Sequence, residues 1–151
     1  MDRQAASFGP RVIGKLLNLG GMLERKANQL LLPFGLNQQQ YSILFEIKRA
    51  GKVNQKAVIN RLMLEKAHVS KIIKKLESMA LISRTPDTED RRSSWLSITP
   101  KGISIVNDCS KITSAWNRKW IGRIVKNEKQ AVLEILSELQ EVFRETIEDE
   151  N

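Results

Sequence analysis

Residues 67–79 carry an apolar side and a basic side at helical spacing. On a wheel of about 100° per residue, Val69, Ile72, Ile73, Leu76 and Met79 fall within a single arc of roughly 120°. The opposite arc carries small residues, hydroxyls and lysines, with His68 at its edge: Ala67, Ser70, Lys71, Lys74, Lys75 and Ser78. One side of such a helix can pack on a core while the other meets a polyanion. A surface helix with solvated lysines is the alternative, and the helix alone does not exclude it.

The charge of the chain agrees with an anionic partner, either nucleic acid or a membrane surface. The 151 residues carry a net charge of +8, with a pI near 9.8. Residues 34–100 carry net +6 and residues 127–151 net −6, so the middle is the better candidate for a binding surface. One Cys and one His argue against a disulfide framework and a four-ligand metal site. With no apolar run of about 20 residues and no signal sequence, we expect a soluble, cytoplasmic protein without a cofactor.

The first half of the chain predicts four helices. Residues 11–32 form the first, with a bend or close packing expected at Gly20-Gly21. The second runs from Asn37 to about residue 50, and Asn37 with Gln40 has the spacing of a capping box. Asn54 caps a short third helix. A break at residues 63–66 precedes the fourth helix, from about residue 67 to 80.

The second half predicts a β-hairpin and two long helices. Residues 81–85 and 94–98 have strand-like composition, and a polar, turn-rich tip joins them. Thr99-Pro100 reads as a helix start, with the helix running to about residue 126. Asn127 with Gln130 caps the last helix. The predicted fold class is mainly α with a small β-hairpin wing, that is, a winged helix-turn-helix domain plus N- and C-terminal helices. We predict an N-terminal helix at 1–33, the winged domain at 34–100 and C-terminal helices at 101–151.

This arrangement places the lysine side of the fourth helix in a major groove of DNA. The amino end of the third helix would meet phosphate, while base discrimination would fall to residues near the start of the fourth helix. In the hairpin tip, Asp90 can hold the guanidinium of Arg92 extended toward a narrow minor groove. A solvated turn with ion pairs worth at most about 1 kcal/mol is the alternative reading of this tip. The predicted DNA-binding residues are Asn54, Gln55, Lys56, Ala67, His68, Ser70, Lys71, Lys74, Lys75, Arg84, Asp90, Arg91 and Arg92.

Residues 36–102 resemble the MarR family of bacterial transcription regulators. The similarity runs in order through the second helix (Leu36–Leu44), the third (Gln55–Leu62), the fourth (Ala67–Glu77) and the hairpin (Arg84–Arg92). It closes with Ile98-Thr99-Pro100-Lys101-Gly102, and the Asp-Arg-Arg wing followed by Thr-x-x-Gly is its most specific part. Three positions depart from the family pattern. Met63 and Ala80 stand where Gly is frequent, and His68 stands where Ser or Thr is common.

The resemblance implies a homodimeric repressor or activator that binds a pseudo-palindromic double-stranded DNA operator. It also implies that the first and last two helices form the dimer interface, so that residues 1–33 are an N-terminal dimerisation helix and residues 101–151 are C-terminal dimerisation helices. Packing of these helices within the monomer is the alternative. Many relatives bind a small aromatic or phenolic effector, so such an effector is a further implied partner, to which we assign no residues. A non-sequence-specific basic DNA- or RNA-binding protein is the alternative function. We predict no enzyme activity, because no phosphate loop, nucleophile elbow or Cys–His pair is recognisable. Cys109 reads as a buried, inert thiol.

Overall fold

The computed structural model describes residues 3–88, 93–124 and 126–149. They form six α-helices, one 3₁₀ turn and a three-stranded sheet within that described part. The elements are α1 (Arg3–Leu31), a 3₁₀ turn (Leu32–Phe34), α2 (Gln38–Ala50), β1 (Lys52–Asn54), α3 (Gln55–Leu62), α4 (Lys66–Ser78), β2 (Ile82–Pro86), β3 (Ser94–Ile98), α5 (Pro100–Ile121) and α6 (Lys126–Asp149). The chain divides into two compact units, residues 1–113 and 114–151. The predicted order of elements and the mainly α fold with a hairpin wing are confirmed. The division by role at residues 33 and 100 stays a prediction.

The core of the first unit is built from the apolar sides of its helices and one face of its sheet. Every helix of this unit and all three strands contribute a buried residue, so one core fixes α3, α4 and the hairpin together. The fully buried side chains are Leu31, Ile43, Leu44, Ile47, Val58, Val69, Ile73, Leu76, Leu81, Leu96, Val106 and Cys109.

Three helix starts are capped as the sequence predicts. Asn37 Oδ1 accepts from the Gln40 amide at 2.8 Å, and Gln40 Oε1 accepts from the Asn37 amide at 2.9 Å, which completes the capping box. Asn54 Oδ1 accepts from the Ala57 amide at 2.8 Å at the start of α3. Thr99 Oγ1 accepts from the Gly102 amide at 3.0 Å ahead of α5. Local sequence alone therefore sets where α2, α3 and α5 begin.

The sheet contains a strand that the sequence analysis did not predict. β1 pairs antiparallel with β3, with Val53 opposite Leu96, and the strand order is β1-β3-β2. The expected two-stranded hairpin is thus a three-stranded sheet. β1 is three residues long, too short for a period-two pattern, and only its pairing with a strand some forty residues later defines it.

Two expectations about helix ends were wrong. α5 ends at Ile121 rather than near residue 126, because the amides of Arg123 and Ile124 donate only three residues back, to the Trp120 and Ile121 carbonyls, and so form a turn. α6 begins at Lys126, so Asn127 lies inside its first turn instead of capping it. α1 passes through Gly20 and Gly21 as one helix, and among the described residues a Cβ at Gly20 would meet no atom within 4 Å, so Gly20 is not a site of close packing there.

The start of α5 is locked against the end of α4. Gly102 lies so close to the hairpin that an added Cβ would come within 2.1 Å of the Leu81 carbonyl oxygen and 2.7 Å of Ile98 Cγ1. Thr99 Oγ1 donates to the Ala80 carbonyl at 2.8 Å. The Thr-x-x-Gly pattern therefore has a physical reason: the threonine bonds both helix ends, and only glycine fits the approach.

Two non-glycine residues adopt left-handed backbone at the ends of the helices that frame the site. Met63, after α3, has φ of 50°, and Ala80, after α4, has φ of 57°. For a residue other than glycine, this left-handed conformation costs about 1–2 kcal/mol, because Cβ comes too close to the following carbonyl oxygen. These are two of the three positions at which the sequence departs from its family pattern, and at both the backbone still adopts the glycine-like conformation.

Ala80→Gly should therefore raise the free energy of unfolding by about 0.5–1 kcal/mol, since relief of the left-handed strain exceeds the added freedom of the unfolded chain. Urea unfolding followed by circular dichroism measures the change. Ala115→Gly is the matched control, an exposed alanine inside α5 with ordinary helical backbone, and should lower stability by about 1 kcal/mol. Equal losses in both variants would contradict the assignment of strain at Ala80.

Across the described residues, none of the helices combines the length and apolar character needed to cross a bilayer.

Candidate nucleic-acid interface

The fourth helix has the two-sided character that the sequence predicts. Val69, Ile73 and Leu76 are fully buried and Ile72 nearly so. The residues exposed on α4 are Lys66, Ala67, Lys71, Lys74, Lys75 and Ser78. Within the described part of the chain, none of these four lysines makes an ion pair. The helix thus presents four cationic side chains to solvent while four apolar ones anchor it.

Helices α3 and α4 are joined by a polar contact between two predicted site residues. Gln55 Nε2, in the first turn of α3, donates to Ser70 Oγ at 2.6 Å. Ser70 Oγ in turn donates to the Lys66 carbonyl at 2.9 Å. Asn54 uses its side-chain oxygen to cap α3. Asn54, Gln55 and Ser70 therefore already have partners within the protein, whereas Lys56 is exposed at the amino end of α3.

His68 is half-buried and contacts a residue that the sequence analysis did not select. Its Nε2 is hydrogen-bonded to Gln39 Oε1, in the first turn of α2. The contact fixes the imidazole at the amino end of α4. It joins residues 29 positions apart, so no local signal in the sequence could have indicated Gln39.

The hairpin lies beside the carboxyl end of α4. Arg84 of β2 donates from Nε and Nη2 to the two carboxylate oxygens of Glu77, each at 3.1 Å, and from Nη1 to Ser94 Oγ at 3.0 Å. Glu77 was absent from the predicted site because an acidic residue on a basic helix carries no such signal. The remaining predicted wing residues, Asp90, Arg91 and Arg92, lie outside the described residues.

A charged cluster fixes α2 to α3 behind this surface. Glu46 of α2 is 7% exposed and accepts from Arg49 Nε and Nη2 at 2.9 and 2.8 Å and from Arg61 Nη1, on α3, at 2.6 Å. The hydrogen bonds from Arg49 and then Arg61 lower the pKa of Glu46 despite the opposing effect of its burial. Glu46 is thus charged at neutral pH and holds α3 through its last turn.

The helices that flank the winged domain expose apolar side chains. On α1 the exposed side chains are Phe8, Ile13, Leu16, Leu17, Leu19 and Met22. On α6 they are Val132, Leu133, Ile135, Leu136, Leu139, Val142, Phe143 and Ile147. Exposure on this scale is unusual for a chain that has no partner.

Cys109 is fully buried in α5. Desolvation, with a smaller effect of the Asp108 carboxylate, raises its pKa to about 11. The thiol is therefore protonated at neutral pH, which agrees with the prediction of an unreactive cysteine.

The core, the pair α3 and α4 and the adjoining hairpin define a winged helix-turn-helix protein. A model of the MarR family matches residues 36–94. The transcriptional regulator SarZ of Staphylococcus epidermidis is 28% identical over 125 residues, covering 82% of this chain and 83% of that protein. A MarR-family transcriptional regulator from Rhodococcus sp. RHA1 superposes with a TM-score of 0.73 at 27% identity, over 89% of this chain and 94% of that one. A mutant MarR from E. coli complexed with operator DNA gives 0.78 at 17% identity, over 92% and 99%.

The family model thus matches residues 36–94 of this chain, in agreement with the resemblance that the sequence motifs indicate. The matched segment contains α2, α3, α4 and the hairpin.

Glu46→Gln should lower the free energy of unfolding at pH 7 by about 1–2 kcal/mol, because two arginines lose a charged acceptor yet remain partly solvated. The folded protein lowers the pKa of Glu46, so its stabilisation is complete above the unfolded value near 4.5 and is lost as pH falls through the lower folded value. Chemical unfolding from pH 7 to 3 should show wild type and variant converging only below about pH 4.5. Asp108→Asn, which removes an exposed pair with Lys111 at the same three-residue spacing, should change stability by less than about 0.5 kcal/mol. A constant gap down to pH 3 would contradict the role of the Glu46 charge.

Proposed function

We propose that this chain is a sequence-specific, double-stranded DNA-binding transcription regulator that acts as a homodimeric repressor on a pseudo-palindromic operator. One observation carries the proposal: α4 presents four exposed lysines, opposite a fully packed face and beside a wing, in a MarR-family domain. Repression follows when the bound dimer occludes a promoter. Such a regulator acts in the cytoplasm, and the proposal includes no catalytic step.

The contacts divide by chemistry. Lys56, Lys71, Lys74 and Lys75 are flexible point charges suited to phosphate oxygens. Ala67 is small and exposed at the start of α4, where the helix can approach base edges, and His68 lies next to it with its orientation fixed by Gln39. Gln55 and Ser70 join α3 to α4 and Asn54 caps α3, so these three residues contact DNA only through their remaining groups. Asp90, Arg91 and Arg92 supply the wing contacts that the family resemblance implies.

Removal of one α4 lysine should distinguish the contribution of charge to DNA affinity from the contribution of sequence recognition. Lys74→Ala should weaken binding to a selected duplex and to a random duplex alike, and should reduce the slope of log K against log salt by about one, because one phosphate contact is lost. Fluorescence anisotropy at several salt concentrations measures both quantities. Lys111→Ala on α5 removes the same charge outside the proposed interface and should leave the slope unchanged. A slope unaffected by Lys74→Ala would place α4 away from DNA.

A basic protein without sequence preference is the second candidate, supported by the net charge of +8. It predicts equal affinity for any duplex or RNA. Selection of duplexes from a random library by the wild-type protein, followed by competition with unlabelled random DNA, distinguishes the two candidates. Enrichment of a two-fold symmetric sequence supports the regulator. Enrichment of nothing supports the basic protein.

The exposed apolar sides of α1 and α6 support the homodimer. An apolar surface of this kind is buried in a stable form, and two-fold symmetry on DNA needs two recognition helices. A small aromatic or phenolic effector would act by favouring a dimer whose recognition helices no longer match the operator spacing. The proposal of such an effector rests on the family resemblance alone.

Phe143→Glu should convert the dimer to a monomer at micromolar concentration, because it places a charge in an apolar interface. Light scattering coupled to size exclusion measures the mass. Asn127→Glu adds the same charge on the acidic side of α6 and should leave the mass unchanged. A dimer that persists in Phe143→Glu, or a wild-type monomer, would contradict this interface.

A further inference from the structure

The bridge between Glu77 and Arg84 joins three elements of the winged domain. The guanidinium of Arg84 meets the carboxylate of Glu77 through two parallel hydrogen bonds of 3.1 Å, and its third nitrogen reaches Ser94 Oγ at 3.0 Å. Glu77 lies in the last turn of α4, Arg84 in β2 and Ser94 at the start of β3. Fork-to-carboxylate geometry of this kind fixes orientation as well as distance, which a single hydrogen bond does not.

The bridge lies where it can set the angle of the wing. In the strand register Arg84 is opposite Leu96, and Pro86 is opposite Ser94, so the guanidinium spans both hairpin strands on the face that also carries the buried Leu96. The side chains of Arg84 and Glu77 are 35% and 29% exposed, so neither is freely solvated. Three of the five guanidinium N–H groups donate within the protein, and the fork formed by Nε and Nη2 is occupied by Glu77.

An acidic side chain on the proposed DNA-facing helix is an electrostatic cost. Glu77 shares α4 with four exposed lysines, and its charge opposes the approach of phosphates. A direct charge effect would make Glu77 purely unfavourable for DNA binding. If Glu77 instead fixes the hairpin relative to α4, it favours DNA binding. Helix and wing then reach one site together, and the entropy of ordering the wing is not lost at the moment of binding.

We propose that Glu77 and Arg84 are positioning residues for operator recognition: their bridge holds the wing at the angle to α4 that lets helix and wing contact the same DNA site. Arg84, which the sequence analysis placed among the DNA-contacting residues, is thereby assigned to the protein rather than to the nucleic acid. The proposal rests on the proposed function.

The test compares sequence preference with raw affinity. The probe is the duplex of about 30 base pairs that the wild-type protein enriches from a random library, a length that holds two half-sites a few helical turns apart. A shuffled duplex of equal composition is the reference. Anisotropy at several salt concentrations gives Kd for both duplexes with wild type, Glu77→Gln, Arg84→Gln, Arg84→Lys, the Glu77→Gln/Arg84→Gln double variant and Glu65→Gln. Glu65 is the exposed residue that precedes α4, and its side chain makes no capping hydrogen bond. The Glu65→Gln variant therefore removes one negative charge without breaking the bridge between Glu77 and Arg84.

If the bridge positions the wing, its loss should lower the preference for the selected duplex over the shuffled one and leave the affinity for DNA in general unchanged. Glu77→Gln should reduce the ratio of selected to shuffled affinity about fivefold, while binding to the shuffled duplex is unchanged or tighter. Arg84→Lys keeps the charge but loses the fork, and should lower the ratio with unchanged shuffled affinity. The double variant should be no worse than either glutamine variant, since one bridge is broken in each. Glu65→Gln should tighten both duplexes equally.

Either of two results would overturn this proposal while leaving the proposed function intact. If Glu77→Gln behaves as Glu65→Gln does, the carboxylate acts only as a charge. If Arg84→Gln weakens both duplexes equally and flattens the salt slope by about one while Glu77→Gln tightens both, Arg84 contacts phosphate directly. Hydrogen exchange of free protein gives a readout without DNA: amides of residues 82–85 should exchange faster in Glu77→Gln, with global stability nearly unchanged, and unaltered exchange there counts against the bridge. A wild-type protein that enriches no duplex would instead overturn the proposed function, and this proposal with it.

Discussion

Burial of one side of α4 is the interaction on which the rest of this structure depends. Val69, Ile73 and Leu76 are fully removed from water, and each contributes roughly 1.5–3 kcal/mol of transfer free energy. Because the apolar residues recur at helical spacing, their burial fixes the rotation of the helix and leaves the lysines no position except the solvent side. The basic surface is therefore a consequence of core packing, and it needs no attractive contact of its own to stay in place.

The ends of α4 are constrained as firmly as its middle. At its amino end, Ser70 and His68 are tied to Gln55 and Gln39. At its carboxyl end, Ala80 turns the chain through left-handed backbone, and the Ala80 carbonyl accepts from Thr99. Backbone strain at Ala80 is tolerated because this turn is held by the same threonine that starts α5, and Gly102 permits the close approach. Recognition needs a helix with a fixed angle, and these contacts supply it from neighbouring elements.

The sequence predicts those features whose cause lies within a few residues. Asn37 with Gln40, Asn54 and Thr99 are local caps, and the two-sided pattern of residues 67–79 is visible without coordinates. β1 could not be predicted, since its three residues become a strand only through pairing with β3. The same holds for the site: the exposed lysines follow from spacing, whereas the contacts of Gln39 with His68 and of Glu77 with Arg84 depend on how distant segments meet. Glu46 was missed for the same reason, because its partner Arg61 lies on another helix.

The acidic charge of this chain is concentrated on α6 together with exposed apolar side chains, and this combination has a physical consequence. Residues 34–100 carry net +6, and residues 127–151 carry net −6. A strongly acidic helix repels phosphate, so α6 is unsuited to DNA, yet the exposed apolar side of α6 has to be covered by something other than water. A second copy of the chain could cover the apolar side of α6, because apolar contact needs no opposite charge and the acidic sides of both helices can stay in solvent. In the homodimer proposed for this chain, the acidic charge of α6 would keep this pairing helix from competing with α4 for the DNA.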